Sequence, residues 1–267
     1  MESYNKKSNS DVIFLLLQAG LYLAFLFLDL TGGSAAASAG IKYTVIILCF
    51  CYALLYGNAG KSIFLSRKAA CKARRLLLSH SLLLQAGLFF TLISDLFILL
   101  LDQYFYGVLT FLVVQQIYGI RLLLIREELE RKNLLFLFLK RLLLQLAVSV
   151  FLCAGLAGAG VAMEGLLATS VFYFISILTN TVSAIRMACR NHRRYNNLLY
   201  AAGMLLFLLC DLNVGLFNLS GFITMPQQVY SVIYAVSGIL MWFFYAPSQV
   251  LIALSSRNRE EGGASLK

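Results

Sequence analysis

Asp95 and Asp211 are the residues of this chain best suited to chemistry, because each is a lone carboxylate roughly thirteen residues into a stretch long enough to cross a bilayer. Near the bilayer centre an aspartate costs about 2.5–3.5 kcal/mol on insertion scales, so one kept there is a functional candidate. The two stretches run in the same direction across the membrane. That puts both carboxyls at one depth and lets them face one polar cavity. A pair of acids so placed suits proton transfer, one donating while the other stabilises a cation or activates water. It equally suits holding a proton or a cation during transport.

Other polar groups fall on the same spans. Gly107, Phe111, Gln115 and Tyr118 recur at helical spacing and form one stripe, and Gly238, Trp242, Tyr245 and Gln249 form another. Glutamine and tyrosine supply hydrogen bonds that lipid does not, and glycine lets a neighbour approach. These groups are either lining of a binding cavity or polar contacts between helices, the latter worth about 0.6 kcal/mol each on average. Lys42 sits near the outer end of the second span, in a half of the molecule that also holds Asp29, Asp95, Asp102, Glu164 and Asp211. It is either a charge partner or anion-binding group inside the cavity, or a lysine snorkelling to the outer headgroups.

The elements that must hold these residues are membrane helices. Of 267 residues 60% are hydrophobic and 13% are charged, a balance foreign to soluble domains and usual for polytopic membrane proteins. About 20 mostly apolar residues make one crossing, and eight spans are predicted at roughly 11–30, 39–57, 82–101, 105–125, 142–162, 165–185, 198–218 and 229–254. The predicted fold is an all-α bundle of eight transmembrane helices forming one membrane domain over residues 1–267. Pro247, inside the last span, is expected to kink it.

The net charge of +10 is a topology signal, not a nucleic-acid footprint. Its cations cluster in the alternate connections: Lys61, Arg67, Lys68, Lys72, Arg74 and Arg75 in one, and Arg126, Arg131, Lys132, Lys140 and Arg141 in the next, with Arg121 just before it. Arg186, Arg190, Arg193 and Arg194 follow, then the tail, on the side of Lys6 and Lys7. The intervening connections near 31–38, 102–104, 163–164 and 219–228 hold no Lys or Arg. Both termini are therefore expected in the cytoplasm. The first span, followed by Ser34-Ala35-Ala36-Ala37-Ser38-Ala39, imitates a signal peptide, yet its apolar region is longer than the usual one of about 7–15 residues and is expected to be retained.

Several apparent motifs fail. Gly60-Lys61-Ser62 lacks the earlier P-loop glycine, Leu55 standing there, and it follows a membrane span instead of a strand. His80 and His192 map to the cytoplasmic edge with no second ligand nearby, and the six cysteines contain no CxxC, so no metal site is expected. Asn218-Leu219-Ser220 is formally a glycosylation sequon but abuts the membrane.

An echo runs through the chain. Gly87…Ser94-Asp95…Gln115…Tyr118 is answered four spans later by Gly203…Cys210-Asp211…Tyr245…Gln249, the pattern of a parallel four-helix duplication. The run from Gly87 through Ser94-Asp95, followed by Phe105-Tyr106-Gly107, Phe111, Gln115 and Tyr118, resembles the YhhN-like lysoplasmalogenase family. Leu206–Asp211 is similar to its second acidic segment, Tyr245 to Gln249 and Ile252 to its final element, and Lys42 falls at its early lysine. Gln115 stands where the family pattern has histidine, Ser94 where it has glycine and Cys210 where it has serine.

The resemblance implies an eight-span enzyme that hydrolyses the vinyl ether bond of lysoplasmalogens, releasing a fatty aldehyde. It also implies Asp95 and Asp211 as acid and base, with Lys42, Gln115, Tyr118, Tyr245 and Gln249 about the substrate. That chemistry needs a carboxyl group holding its proton near neutral pH, a condition that burial and a second carboxylate favour. No cofactor is expected, the partner is a lysophospholipid within the lipid matrix, and the location is a plasma membrane. A small transporter, or an inactive lipid-binding relative, is the competing expectation.

Overall fold

In the computed structural model of the protein the described residues are 2–57, 72–127, 131–190, 194–218, 221 and 226–257, with side chains described for 9–57, 80–125, 134–190, 194–218, 221 and 226–257. The basic loop from residue 58 to 71, with its Gly60-Lys61-Ser62, and the tail beyond Arg257 lie outside them.

In lipid every backbone amide must be satisfied within its own segment, and the chain meets that demand with long helices. They are α1 (Glu2–Thr31), α2 (Ala35–Tyr56), α3 (Lys72–Asp95), α4 (Tyr104–Glu127), α5 (Arg131–Gly158), α6 (Gly165–Arg190), α7 (Tyr195–Phe217) and α8 (Gln227–Leu254). A π-helical turn, Leu96–Leu100, continues α3. All eight helices are long and apolar enough to cross a membrane, so the chain is a multi-pass membrane bundle. Among the described residues the one β pairing is a bridge between Gly57 and Arg257.

Six helices close a ring in the order α2, α3, α4, α6, α7, α8, and back to α2. Outside it, α1 packs on α2 and α8, while α5 packs on α6 and α4. Each of these pairings has a counterpart four helices further along the chain: α3 with α4 answers α7 with α8, and α2 with α8 answers α6 with α4. The outer faces are apolar, as α5 shows with Phe151 at 77% exposure. With hydrocarbon as its surroundings such a ring costs nothing to leave exposed.

Two glycines set how closely the ring closes. A Cβ on Gly87 would lie 2.1 Å from Cε1 of Tyr118, and one on Gly203 would lie 2.8 Å from Cγ1 of Ile252 and 3.0 Å from the Ser248 carbonyl oxygen. Each glycine precedes its aspartate by eight residues, about 12 Å along the axis. The helix carrying each acid therefore draws up to the next helix two turns before the acid.

Where helices meet, glutamine and asparagine amides tie backbone to backbone. Gln18 donates to the Val45 carbonyl at 3.1 Å, Gln85 to that of Ala53 at 2.8 Å, and Asn180 to that of Gln115 at 2.8 Å. Helix α8 runs through Pro247. Proline leaves the carbonyl of Phe243 without its helical donor. The hydroxyl of Tyr22 in α1 donates to that carbonyl at 3.2 Å.

Seven spans fall close to their predicted positions, and the fifth departs. Predicted at 142–162, it is the helix Arg131–Gly158, whose candidate crossing is Leu134–Gly158. Lys140 and Arg141 thus belong to the span and not to a loop, and Arg141 turns its charge toward α6, donating to Thr179 and Asn180. Arg121 likewise lies within α4, buried at 7% exposure. Hydropathy alone reads a cation as a boundary, but a guanidinium held by partners on a neighbouring helix, as Arg141 is by α6, need not be one.

Candidate functional site

Asp95 closes α3, and the π-helical turn begins at the next residue. Such turns re-aim side chains and occur frequently at functional sites. One residue earlier, the buried Ser94 donates to the carbonyl of Gly107 at 2.6 Å, fixing this end of α3 against α4. Asp95 is 3% exposed, and its Oδ2 accepts a 2.6 Å hydrogen bond from the Tyr245 hydroxyl of α8. Helices α3 and α8 are not neighbours in the ring, so this bond crosses its interior.

Asp211, on α7, is partly exposed and accepts a 2.5 Å bond at Oδ2 from the Tyr173 hydroxyl of α6. Both phenols rest on Phe111 of α4, whose ring centroid lies 6.0 Å from that of Tyr173 and 6.3 Å from that of Tyr245. Phe207 packs on Phe111 at 5.7 Å and on Tyr245 at 5.5 Å. Cys210 lies within electrostatic reach of both carboxyls. The two acids, carried on opposite sides of the ring, therefore meet one aromatic cluster inside it, each held by a different tyrosine.

The other predicted residues spread from this cluster. Gln115 is buried one turn from Phe111, and its Oε1 accepts from Asn180 at 2.8 Å while its Nε2 has no hydrogen-bond partner. Tyr118, a further turn along, is fully buried against Gly87, and its ring meets that of Tyr200 edge-on at 5.9 Å. It is thus a packing element as well as a polar group. Gln249 is buried one turn beyond Tyr245, donates weakly to the Ser248 hydroxyl at 3.3 Å, and leaves Oε1 without a partner.

Lys42 forms no described ion pair with either acid. It pairs with Asp29 at 2.8 Å, and Asp29 also accepts from Ser38 at 2.6 Å. The ammonium lies 4.6 Å from the Trp242 ring centroid and 5.6 Å from that of Phe25. Lys42 is thus a charge partner of Asp29, between α2 and α1. Its route to Asp95 is indirect, because the Trp242 ring touches that of Tyr245 at 5.4 Å.

Sequence reasoning passed over Tyr173 and Asn180. Their signal was present: Tyr173, Ser176, Asn180 and Ser183 recur every three or four residues on α6, a polar stripe like those of α4 and α8. Asn180 is the connecting member, donating to Gln115 and accepting from Arg141. A polar path therefore leads from the acid cluster toward the end of the bundle where Arg141 lies.

The family model described as the YhhN family matches residues 39–256. No curated protein and no solved structure matches the chain.

Proposed function

Because the chain belongs to the YhhN family, we propose that this membrane bundle is a hydrolase that cleaves the vinyl ether bond of lysoplasmalogen-type lysolipids. The main support is the pair of intramembrane aspartates, each clasped by a tyrosine hydroxyl on one aromatic cluster. Apolar rings suit the alkenyl chain, and two carboxyls suit a reaction consisting of proton transfers.

Asp95, sealed from solvent, gives its proton to the outer carbon of the double bond. A C–H bond forms, the π bond breaks, and the ether oxygen shares the resulting cation as an oxocarbenium ion. Asp211, the more open acid, takes a proton from water as the water oxygen bonds to the cationic carbon. The hemiacetal then collapses: its C–O bond to glycerol breaks, the hemiacetal hydroxyl proton passes to the glycerol oxygen, and a fatty aldehyde leaves. Return of the proton from Asp211 to Asp95 resets the pair. Tyr245 and Tyr173 hold the carboxyls, Gln115, Tyr118 and Gln249 line the path, and Lys42, neutralised by Asp29, borders the outer mouth as a hydrogen-bond donor. The protein resides in a plasma membrane with both termini on the cytoplasmic side.

Purified protein in detergent, given a lysoplasmalogen, releases aldehyde, and Asp95→Asn and Asp211→Asn each abolish the release. Full hydrolysis by both variants refutes the assignment. The four-helix period of the packing favours a second reading, a transporter that uses the acids as proton or cation sites. Substrate movement in sealed vesicles without aldehyde release would select it.

A further inference from the structure

Outside the acid cluster, two arginines stand in the bundle without a carboxylate partner among the described residues. Arg121 of α4 is 7% exposed, and its Nε and Nη1 have no hydrogen-bond partner. Its guanidinium lies over the Tyr200 ring of α7, with Cζ 4.1 Å from the centroid. Arg141 of α5 approaches from another side, its Nη2 donating to Thr179 at 3.2 Å and to Asn180. Tyr200 lies within electrostatic reach of both cations, and His80 of α3 within that of Arg121. Neither arginine takes part in an ion pair with a described residue, the described pairs being Lys42 with Asp29 and Arg257 with Asp11.

A buried charge left without a counter-ion is strongly destabilising, and Arg121 is one, so an anion shared with the half-buried Arg141 would relieve the cost. Planar guanidinium forks match phosphate oxygens in pairs, which an ammonium does not. The position suits a headgroup, since Arg121 stands six residues before the end of α4 at Glu127, about 9 Å along the axis. It is also ten residues from Phe111, about 15 Å, and so apart from the acids.

We propose that Arg121 and Arg141 form a binding site for the phosphate of a glycerophospholipid headgroup, entered from the membrane leaflet beside the basic loops. Tyr200 forms its floor. Asn180 ties it to Gln115, so that an occupant braces the helices surrounding the acid cluster. The site stands whether or not the acids hydrolyse a vinyl ether.

The test is native mass spectrometry of the full chain released from maltoside micelles, titrated with phosphatidylglycerol and, as the phosphate-free control, diacylglycerol. Calorimetry with inorganic phosphate reads the bare anion. Phosphatidylglycerol is expected to bind, with a loss of about tenfold or more in R121Q/R141Q and a smaller loss in R121K/R141K, the fork being absent but the charge kept. Diacylglycerol binding stays unchanged. Inorganic phosphate bound by the native chain and lost in the variant, with no phospholipid preference, supports the site and assigns free phosphate as its ligand. Phosphatidylglycerol and phosphate affinities that are the same in native and variant protein overturn the proposal. If the double variant does not survive purification, R121Q alone decides, since it removes the unpartnered guanidinium and leaves the Arg141 bonds in place.

Discussion

Replacing Tyr245 by phenylalanine tests the acid pair most sharply, because it deletes one oxygen and keeps the ring that packs on Phe111, Phe207 and Trp242. The lost contact is a 2.6 Å hydrogen bond to a carboxyl that is 3% exposed. Water does not readily take its place there, so the donor is lost outright. In the proposed reaction Asp95 gives up its proton, negative charge grows on the carboxyl, and the bond from Tyr245 strengthens in the transition state. A hydrogen bond to a charged group contributes about 1.5–3 kcal/mol, which at 1.4 kcal/mol per factor of ten predicts a fall of roughly 10–150-fold. The loss is expected in kcat with KM little changed. Tyr173→Phe removes the matching 2.5 Å bond to Asp211, which is less completely enclosed than Asp95, so a smaller fall of about 3–10-fold is expected. The assay is aldehyde release from a lysoplasmalogen in detergent, with thermal unfolding of each variant recorded beside it. A Tyr173→Phe loss equal to or larger than that of Tyr245→Phe, at unchanged melting temperature, refutes the idea that burial ranks the two acids.

Three further outcomes follow from the same geometry. Gly87→Ala sets a methyl 2.1 Å from the buried Tyr118 ring and is expected to cost about 1–3 kcal/mol, whereas Gly215→Ala, which meets nothing within 4 Å, is neutral or better; detergent unfolding curves compare them. Lys42→Met leaves Asp29 without its cation and destabilises by about 1–3 kcal/mol after allowance for partial exposure, while adding Asp29→Asn recovers most of that in the same melts. Formate supplied to Asp211→Asn restores part of the aldehyde release, because this position is open enough for a small base, but leaves the sealed Asp95→Asn inactive; equal rescue of both would reverse the roles assigned to them.

The spans were legible because lipid imposes one rule on every residue, that backbone polarity be satisfied within the helix. Asp95 and Asp211 were legible for the same reason, as exceptions in an otherwise apolar run. The cations misled at one place. Lys140 and Arg141 mark a loop by composition, but Arg141 finds Thr179 and Asn180 inside the bundle, a satisfaction that depends on which helix lies opposite. Tyr173 was passed over for the same reason, since nothing near it in sequence announces Asp211, thirty-eight residues on. Lys42 was readable as a charge partner, yet its choice of Asp29 over the deeper acids follows from how α1 lies against α2. Partners of this kind are properties of the packing, and the stripe on α6 could have named the face but not its contacts.

The packing around the ring repeats every four helices, while the two acids differ in what surrounds them. Gly87 and Gly203 hold the same place relative to Asp95 and Asp211, and each lets its helix close on the next. From that common frame the side chains diverge. Asp95 reaches across the ring to Tyr245, beside a π-helical turn, and is shut off from solvent. Asp211 turns to the adjacent α6 and stays partly open. On the proposed reading, equal frames with unequal surroundings divide the work between two carboxyls of one chemical type, the enclosed one exchanging protons with what is bound beside it and the more exposed one with water. Proton donation to carbon followed by capture of water requires that division. A binding site for one symmetrical cation does not require it, which is why the asymmetry of the acids, more than their presence, weighs toward hydrolysis.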